Sequence, residues 1–163
     1  MKKHITASII VVLACIVGGC SGAKVGSRAP AYATADAEGG AVASSEYEGR
    51  VVVYYFWAVW CAPCVVPSPE IDHLAKLYRH DDRVEILAVH YDDKKDPLGY
   101  AARHGYVFDV IPDGTAVVKA FGVEKIPSVI VVGRDGSIIH MQTGYSQGDS
   151  DKLNVIIQKN LDQ

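Results

Sequence analysis

The chain has 163 residues, 49% of them hydrophobic, enough to bury one ordinary core and too few for two. Its 16 basic and 19 acidic side chains give a formal charge of −3 and form no Lys/Arg cluster. Phosphate binding needs concentrated positive charge, so nucleic acid is excluded as a partner class; a single monomeric domain is expected.

Lys2 and Lys3 open the chain, an apolar stretch covers residues 5–17, and small Gly18 and Gly19 precede Cys20, which together read as a secretory signal over residues 1–19. The apolar stretch falls short of the roughly twenty residues a membrane-spanning helix needs, so a retained anchor helix is the weaker reading. "IVGGC" resembles a bacterial lipobox, with Val17 three before the cysteine, which implies cleavage before Cys20 and a lipid on it. Cys15, after "VLA", is a rival that lies inside the apolar run. Removal of residues 1–19 takes two lysines with it and leaves 14 basic against 19 acidic side chains, a formal charge of −5. Small and polar residues then read as a lipidated tether over 20–30, ahead of a domain over 31–163.

Turn chemistry at Glu38-Gly39-Gly40 and Glu48-Gly49 predicts a short hairpin before the main sheet. Val51 to Trp57 is a continuous apolar, β-branched and aromatic run, the mark of a strand buried on both faces, and Val84 to His90 reads the same way. Between them Ile71, Leu74, Leu77 and Tyr78 fall at helical spacing, with Ser68 as N-cap and Pro69 in the first turn. Residues 96–105 predict a short helix closed by Gly105, "VFDVI" an extended piece, Pro112-Asp113-Gly114 a turn, and Ala116 to Phe121 a turn or two of helix. "IPSVIVV" and "SIIHMQTG" around Arg134-Asp135-Gly136 predict an antiparallel hairpin, and Ser150 to Leu161, with Leu153, Val155, Ile156 and Leu161 apolar, a closing amphipathic helix. The pattern is that of an α/β sandwich around a mixed sheet.

Once Cys15 leaves with the signal and Cys20 is acylated, Cys61 and Cys64 are the remaining thiols. A cysteine where a helix follows a strand meets unpaired backbone N–H groups and the positive end of the helix dipole, so the nucleophilic thiolate of Cys61 is favoured there. Cys64, one turn further in, is placed to attack a mixed disulfide formed on Cys61. So small a ring makes a poor staple. An inert disulfide or half of a zinc site is the bland alternative, although zinc needs about four ligands and there is no second cysteine pair. Cu(I) held by both thiols and His90 is a rival in an exported protein, and haem attachment in its usual form is excluded because Val65 follows Cys64. No metal or other cofactor is called for.

"FWAVWCAPC" resembles the thioredoxin active-site stretch, and "KIPSVIVV" resembles the loop and strand carrying that fold's cis-proline. With the hairpin region, the insert over residues 91–123 and "VVGRDGSIIHMQTGY", the resemblance to TlpA/ResA-type exported thioredoxin-like proteins covers nearly all of the mature chain. It implies a thioredoxin-like fold, a redox-active Cys61/Cys64 pair around Ala62 and Pro63, and a cis Pro127 facing the Cys61 sulfur. It also implies that the backbone of Ile126 pairs with an incoming substrate strand and that Trp60 forms part of an apolar docking surface. A trans proline opening a strand and a partly exposed core tryptophan are the bland alternatives.

The sequence departs from that pattern where acids are expected. Tyr55 stands six before the first cysteine, where thioredoxins bury an aspartate, and Pro67 stands three after the second, where exported reductases of this type place a glutamate. Glu70 lies roughly 240° around the axis from Cys64 at about 100° per residue, a poor substitute. Pro67 and Pro69 predict a helix kinked or restarted at Ser68. Deprotonation of Cys64 then falls to water, the Tyr55 hydroxyl or His90, with a solvated strand-edge histidine as the alternative for His90.

The reading is an exported bacterial lipoprotein facing the periplasm or extracytoplasmic space. It would be a thiol–disulfide oxidoreductase that reduces protein disulfides, and Ala62-Pro63 resembles thioredoxin more than strong oxidants. The family resemblance implies a transmembrane thiol carrier as electron donor and apocytochromes c among the clients. A thiol peroxidase of related fold, with sulfenic acid on Cys61, and a copper delivery module are the rivals.

Overall fold

The computed structural model describes residues 22–92 and 95–163, so the expected signal peptide, Cys15 and Cys20 lie outside the described residues. In chain order the elements are β1 (Ala33–Ala35), β2 (Ala41–Ala43), β3 (Val51–Trp57), α1 (Pro67–Tyr78), β4 (Val84–His90), α2 (Pro97–His104), β5 (Asp109–Ile111), α3 (Thr115–Phe121), β6 (Ser128–Val132), β7 (Ile138–Thr143) and α4 (Asp149–Leu161). β1 and β2 form the expected hairpin as a small antiparallel sheet of their own. The main sheet has the order β5-β4-β3-β6-β7, parallel between β3, β4 and β5 and antiparallel from β3 through β6 to β7. This is the α/β thioredoxin-like arrangement, with a mixed central sheet flanked by helices.

β3 is central because all seven of its residues are buried. Its alternation sends Val51, Val53, Tyr55 and Trp57 into one core with α1 and α4, and Val52, Tyr54 and Phe56 into the other with Val117 and Phe121 of α3. Ile71, Leu74, Ala75 and Tyr78 form the inward stripe of α1, whereas Leu77 is 54% exposed. Leu77 follows Ile71 by six residues, roughly 240° around the axis, and turns outward. Val155 leaves the α4 stripe of Leu153, Ile156 and Ile157 for the same geometric reason.

Two boundaries differ from expectation. Residues assigned to the tether dock on the β6–β7 hairpin: Gly26 N–H donates to Ile138 O at 2.8 Å, Ile138 N–H to Ser27 O at 2.8 Å, and Ala29 N–H to Gly136 O at 2.9 Å. Folded structure therefore begins before residue 31, because hairpin-edge backbone groups need partners that small residues can supply as well as apolar ones. The helix after the cysteines is interrupted, as the prolines imply, but α1 restarts at Pro67 with Val66 as N-cap. Ser68 is not that cap. It lies inside the first turn, where its hydroxyl reaches back to the Cys64 carbonyl four residues earlier at 2.8 Å.

Candidate active site

The carboxyl ends of β3 and β4 lie side by side, with Trp57 opposite His90, and the chain leaves β3 directly into the segment carrying the cysteines. Ala58 O accepts the Cys61 N–H at 3.0 Å, closing a turn with Val59 and Trp60 at its centre. Cys61 caps a single 3-10 turn, Ala62–Val65, in which the Cys64 N–H returns to Cys61 O at 3.0 Å. Cys61 and Cys64 are joined in a disulfide with Cα atoms 5.3 Å apart. Both cysteines are buried, Cys61 at 6% and Cys64 at 2% exposure, and exposed Ala62 and Pro63 separate them in the chain.

The rim around the disulfide is apolar. Trp60, Val65 and Val66 are each more than half exposed, and Ala62 and Pro63 are exposed between them. The Ile126–Pro127 peptide bond is cis. Because Phe56 pairs with Ser128, Pro127 sits beside the end of β3 from which the cysteine segment departs. The Gly144 N–H donates to Pro127 O at 2.8 Å and Ser128 Oγ donates to Lys125 O at 2.7 Å, so the loop before β6 is held from both sides.

Behind Cys64, where a carboxylate was expected from the resemblance and is absent from the sequence, stands a buried pair of hydroxyls. The Tyr55 hydroxyl donates to Cys64 O at 3.0 Å, Ser68 Oγ donates to the same oxygen at 2.8 Å, and the two hydroxyl oxygens are 3.0 Å apart. Burial pushes the Tyr55 phenol well above its ordinary range, with the Ser68 hydrogen bond acting in the opposite direction. Glu70 points away, as its helical position predicts. Its carboxylate accepts from the Tyr145 hydroxyl at 3.2 Å and from the Gly148 N–H at 3.3 Å, joining α1 to the start of α4.

His90 is fully buried, which corrects the picture of a solvated strand-edge histidine: β3 and the turn after it cover the end of β4. Its Nε2 accepts the Val59 N–H at 3.3 Å, its Nδ1 bonds to the Asp92 carbonyl oxygen, and its ring meets Trp57 edge-on at 5.5 Å. With both ring nitrogens engaged by backbone, His90 is a poor third ligand for copper. Among the described residues no three His, Cys, Asp or Glu side chains gather as a metal site. Two site residues escaped sequence reasoning. Ser68 was legible in principle, since a spacing of four places its hydroxyl over the Cys64 carbonyl. Asp92, whose Oδ2 accepts the Trp60 indole N–H at 3.0 Å, had no local signal.

A thioredoxin-like sheet presenting a Cys-x-x-Cys disulfide beside a cis-proline loop defines a thiol–disulfide oxidoreductase. Comparison with known proteins agrees: the Redoxin family model matches residues 24–156, and the chain belongs to that family, within its TlpA/ResA-type thioredoxin-like branch. The thiol-disulfide oxidoreductase ResA of Geobacillus thermodenitrificans is 33% identical over 122 residues, covering 74% of this chain and 70% of the relative. ResA of Bacillus subtilis is 29% identical over 161 residues, covering 88% of each. Among solved structures, a candidate thiol:disulfide interchange protein DsbE from Chlorobium tepidum superposes with a TM-score of 0.74 at 27% identity, over 85% of this chain and 99% of its own.

Proposed function

We propose that this oxidoreductase is a membrane-tethered reductant of disulfides in exported proteins, acting through Cys61 and Cys64. The observation that carries the reading is the Cys61–Cys64 disulfide lying between exposed apolar side chains, Trp60 before it and Val65 and Val66 after it. The Cys61 thiolate attacks one sulfur of a client disulfide, forming a mixed disulfide and releasing the other client sulfur as a thiolate that takes a proton from solvent. Cys64, once deprotonated, attacks the Cys61 sulfur, the second client sulfur departs and takes a proton from solvent, and the Cys61–Cys64 disulfide remains. Two electrons have moved to the client, whose two sulfurs have each taken up a proton by way of solvent.

The resting dithiol is restored by a donor, for which a transmembrane thiol carrier is the family's implication, and apocytochromes c awaiting haem are a client class of the same origin. In this reading Trp60, Ala62 and Pro63 receive the client surface, the backbone at Ile126 pairs with the client strand, and Pro127 closes over Cys61. Cys64 gives up its proton through water or by way of Tyr55, the hydroxyl on its own carbonyl. Cleavage before Cys20 and lipidation there place the domain outside the cytoplasm on a membrane.

Trapping in the native host tests the proposal. Cys64→Ala should strand a mixed disulfide on Cys61 whose client is identified by mass, and Cys61→Ser should trap nothing. Capture of no protein by Cys64→Ala would remove the reductant reading. Cys20→Ser should free the protein from the membrane fraction, and retention there would remove the lipid anchor.

A further inference from the structure

The turn that presents Cys61 is fixed at both of its central positions by residues leaving β4. The N–H of Val59 donates to His90 Nε2, and the indole N–H of Trp60 donates to Asp92 Oδ2. The two anchors are linked, because His90 Nδ1 bonds to the backbone carbonyl of Asp92 and lies 3.8 Å from Asp92 Oδ1. The backbone completes the frame: the Tyr91 N–H donates to Trp57 O at 2.7 Å and the Gly114 N–H to His90 O at 2.9 Å.

These partners leave one arrangement of the imidazole. A backbone N–H can only donate, so Nε2 must be an unprotonated acceptor; a carbonyl oxygen can only accept, so Nδ1 must carry the proton. The same ring therefore holds the turn with one nitrogen and, with the other, aims the residue whose carboxylate holds Trp60. Trp60 is 54% exposed while its indole N–H is held by Asp92, so an accessible ring stands next to Cys61 with its polar edge anchored. It also meets Tyr91 edge-on at 6.5 Å.

We propose that His90, as the Nδ1–H tautomer, and Asp92 are positioning residues that lock the Cys61 turn and orient Trp60 for docking of protein disulfides. The proposal rests on the disulfide-reductase reading for its functional consequence, while its structural half stands independently. A side chain that only orients a docking surface should act on the affinity for a large client and leave the bond exchange itself alone.

Two measurements test it. In nitrogen-15 NMR of the uniformly labelled oxidised protein, His90 should show a protonated Nδ1 and an unprotonated Nε2 coupled across the hydrogen bond to the Val59 amide. The reverse tautomer, or a ring without that coupling, would overturn the proposal. In insulin reduction, Asp92→Ala should raise KM about threefold to tenfold, the worth of one hydrogen bond, with little change in kcat. Asp92→Asn, which keeps an acceptor oxygen for Trp60, should restore most of that loss. A fall in kcat at constant KM, or equal effects of Ala and Asn, would overturn the docking role. If the wild-type protein itself does not reduce insulin, the reductase reading fails instead, and the NMR measurement still decides the geometry.

Discussion

The two ends of β4 bury polar side chains by opposite means. At the carboxyl end His90 is sealed from solvent and satisfied at both nitrogens by backbone groups, and nearby Tyr55 and Ser68 are satisfied by the Cys64 carbonyl. At the amino end Glu85 is crowded: Arg50 bonds it at 2.9 Å, but burial, followed by the adjacent Asp109 carboxylate, pushes its pKa up from 4.5 to about 7. Each of these groups at the first end has a hydrogen-bond partner without a like charge beside it, whereas Glu85 faces a second carboxylate and holds its proton more tightly. The contrast places hydrogen-bonded, geometrically fixed groups beside the cysteines and the crowded carboxylates at the other end of β4.

The largest expected effect tests the rigidity of the thiol end. A methyl group at Gly114 would lie 2.3 Å from His90 O and 2.4 Å from Val89 Cγ1, so Gly114→Ala should destabilise the fold by about 2–3 kcal/mol in urea unfolding, in the range of core overpacking. An unchanged midpoint would mean that this end yields easily.

Next in size is the pH dependence at the other end. Because the folded protein binds the Glu85 proton more tightly than the unfolded chain does, that contribution is complete below about pH 4.5 and is lost as the pH rises through about 7. Relative to Glu85→Gln, the wild type should lose roughly 1–2 kcal/mol of stability between about pH 5 and 8, the figure being discounted for partial exposure. Parallel stability curves would erase the contrast between the two ends.

Tyr55→Phe should cost about 1 kcal/mol, because Ser68 remains on the Cys64 carbonyl and that acceptor is not orphaned. If the same variant also shifts the pH profile of mixed-disulfide resolution, the hydroxyl carries a proton as well as holding the backbone. The smallest effect belongs to Leu77→Lys on the outer face of α1, within about 0.5 kcal/mol, because that side chain is more than half exposed.

Much of the architecture was legible because its physics is local. The runs 51–57 and 84–90 gave the two central strands without error, since strands buried on both faces have no polar alternation to obscure them. Asp135-Gly136 announced the hairpin turn, where Gly136 has a φ of 80°, and Gly105 closed α2 in the left-handed region at 67°. The Cys-x-x-Cys pair stood out because its spacing alone constrains what two thiols can do.

What the chain order could not reveal was the partner of each buried polar atom. The family resemblance placed Tyr55 near Cys64 and the strand pattern placed His90 at the sheet edge, but only the packing of β3 against β4 put the imidazole on the Val59 N–H and the phenol on a carbonyl. The docking of residues 26–29 on the β6–β7 hairpin was hidden for the same reason, since such bonds join residues more than a hundred positions apart. Local patterns of hydrophobicity and turn chemistry determined the elements and the reactive pair. Tertiary structure decided the hydrogen-bond partners, because a buried donor or acceptor takes whichever complementary group the fold brings within reach.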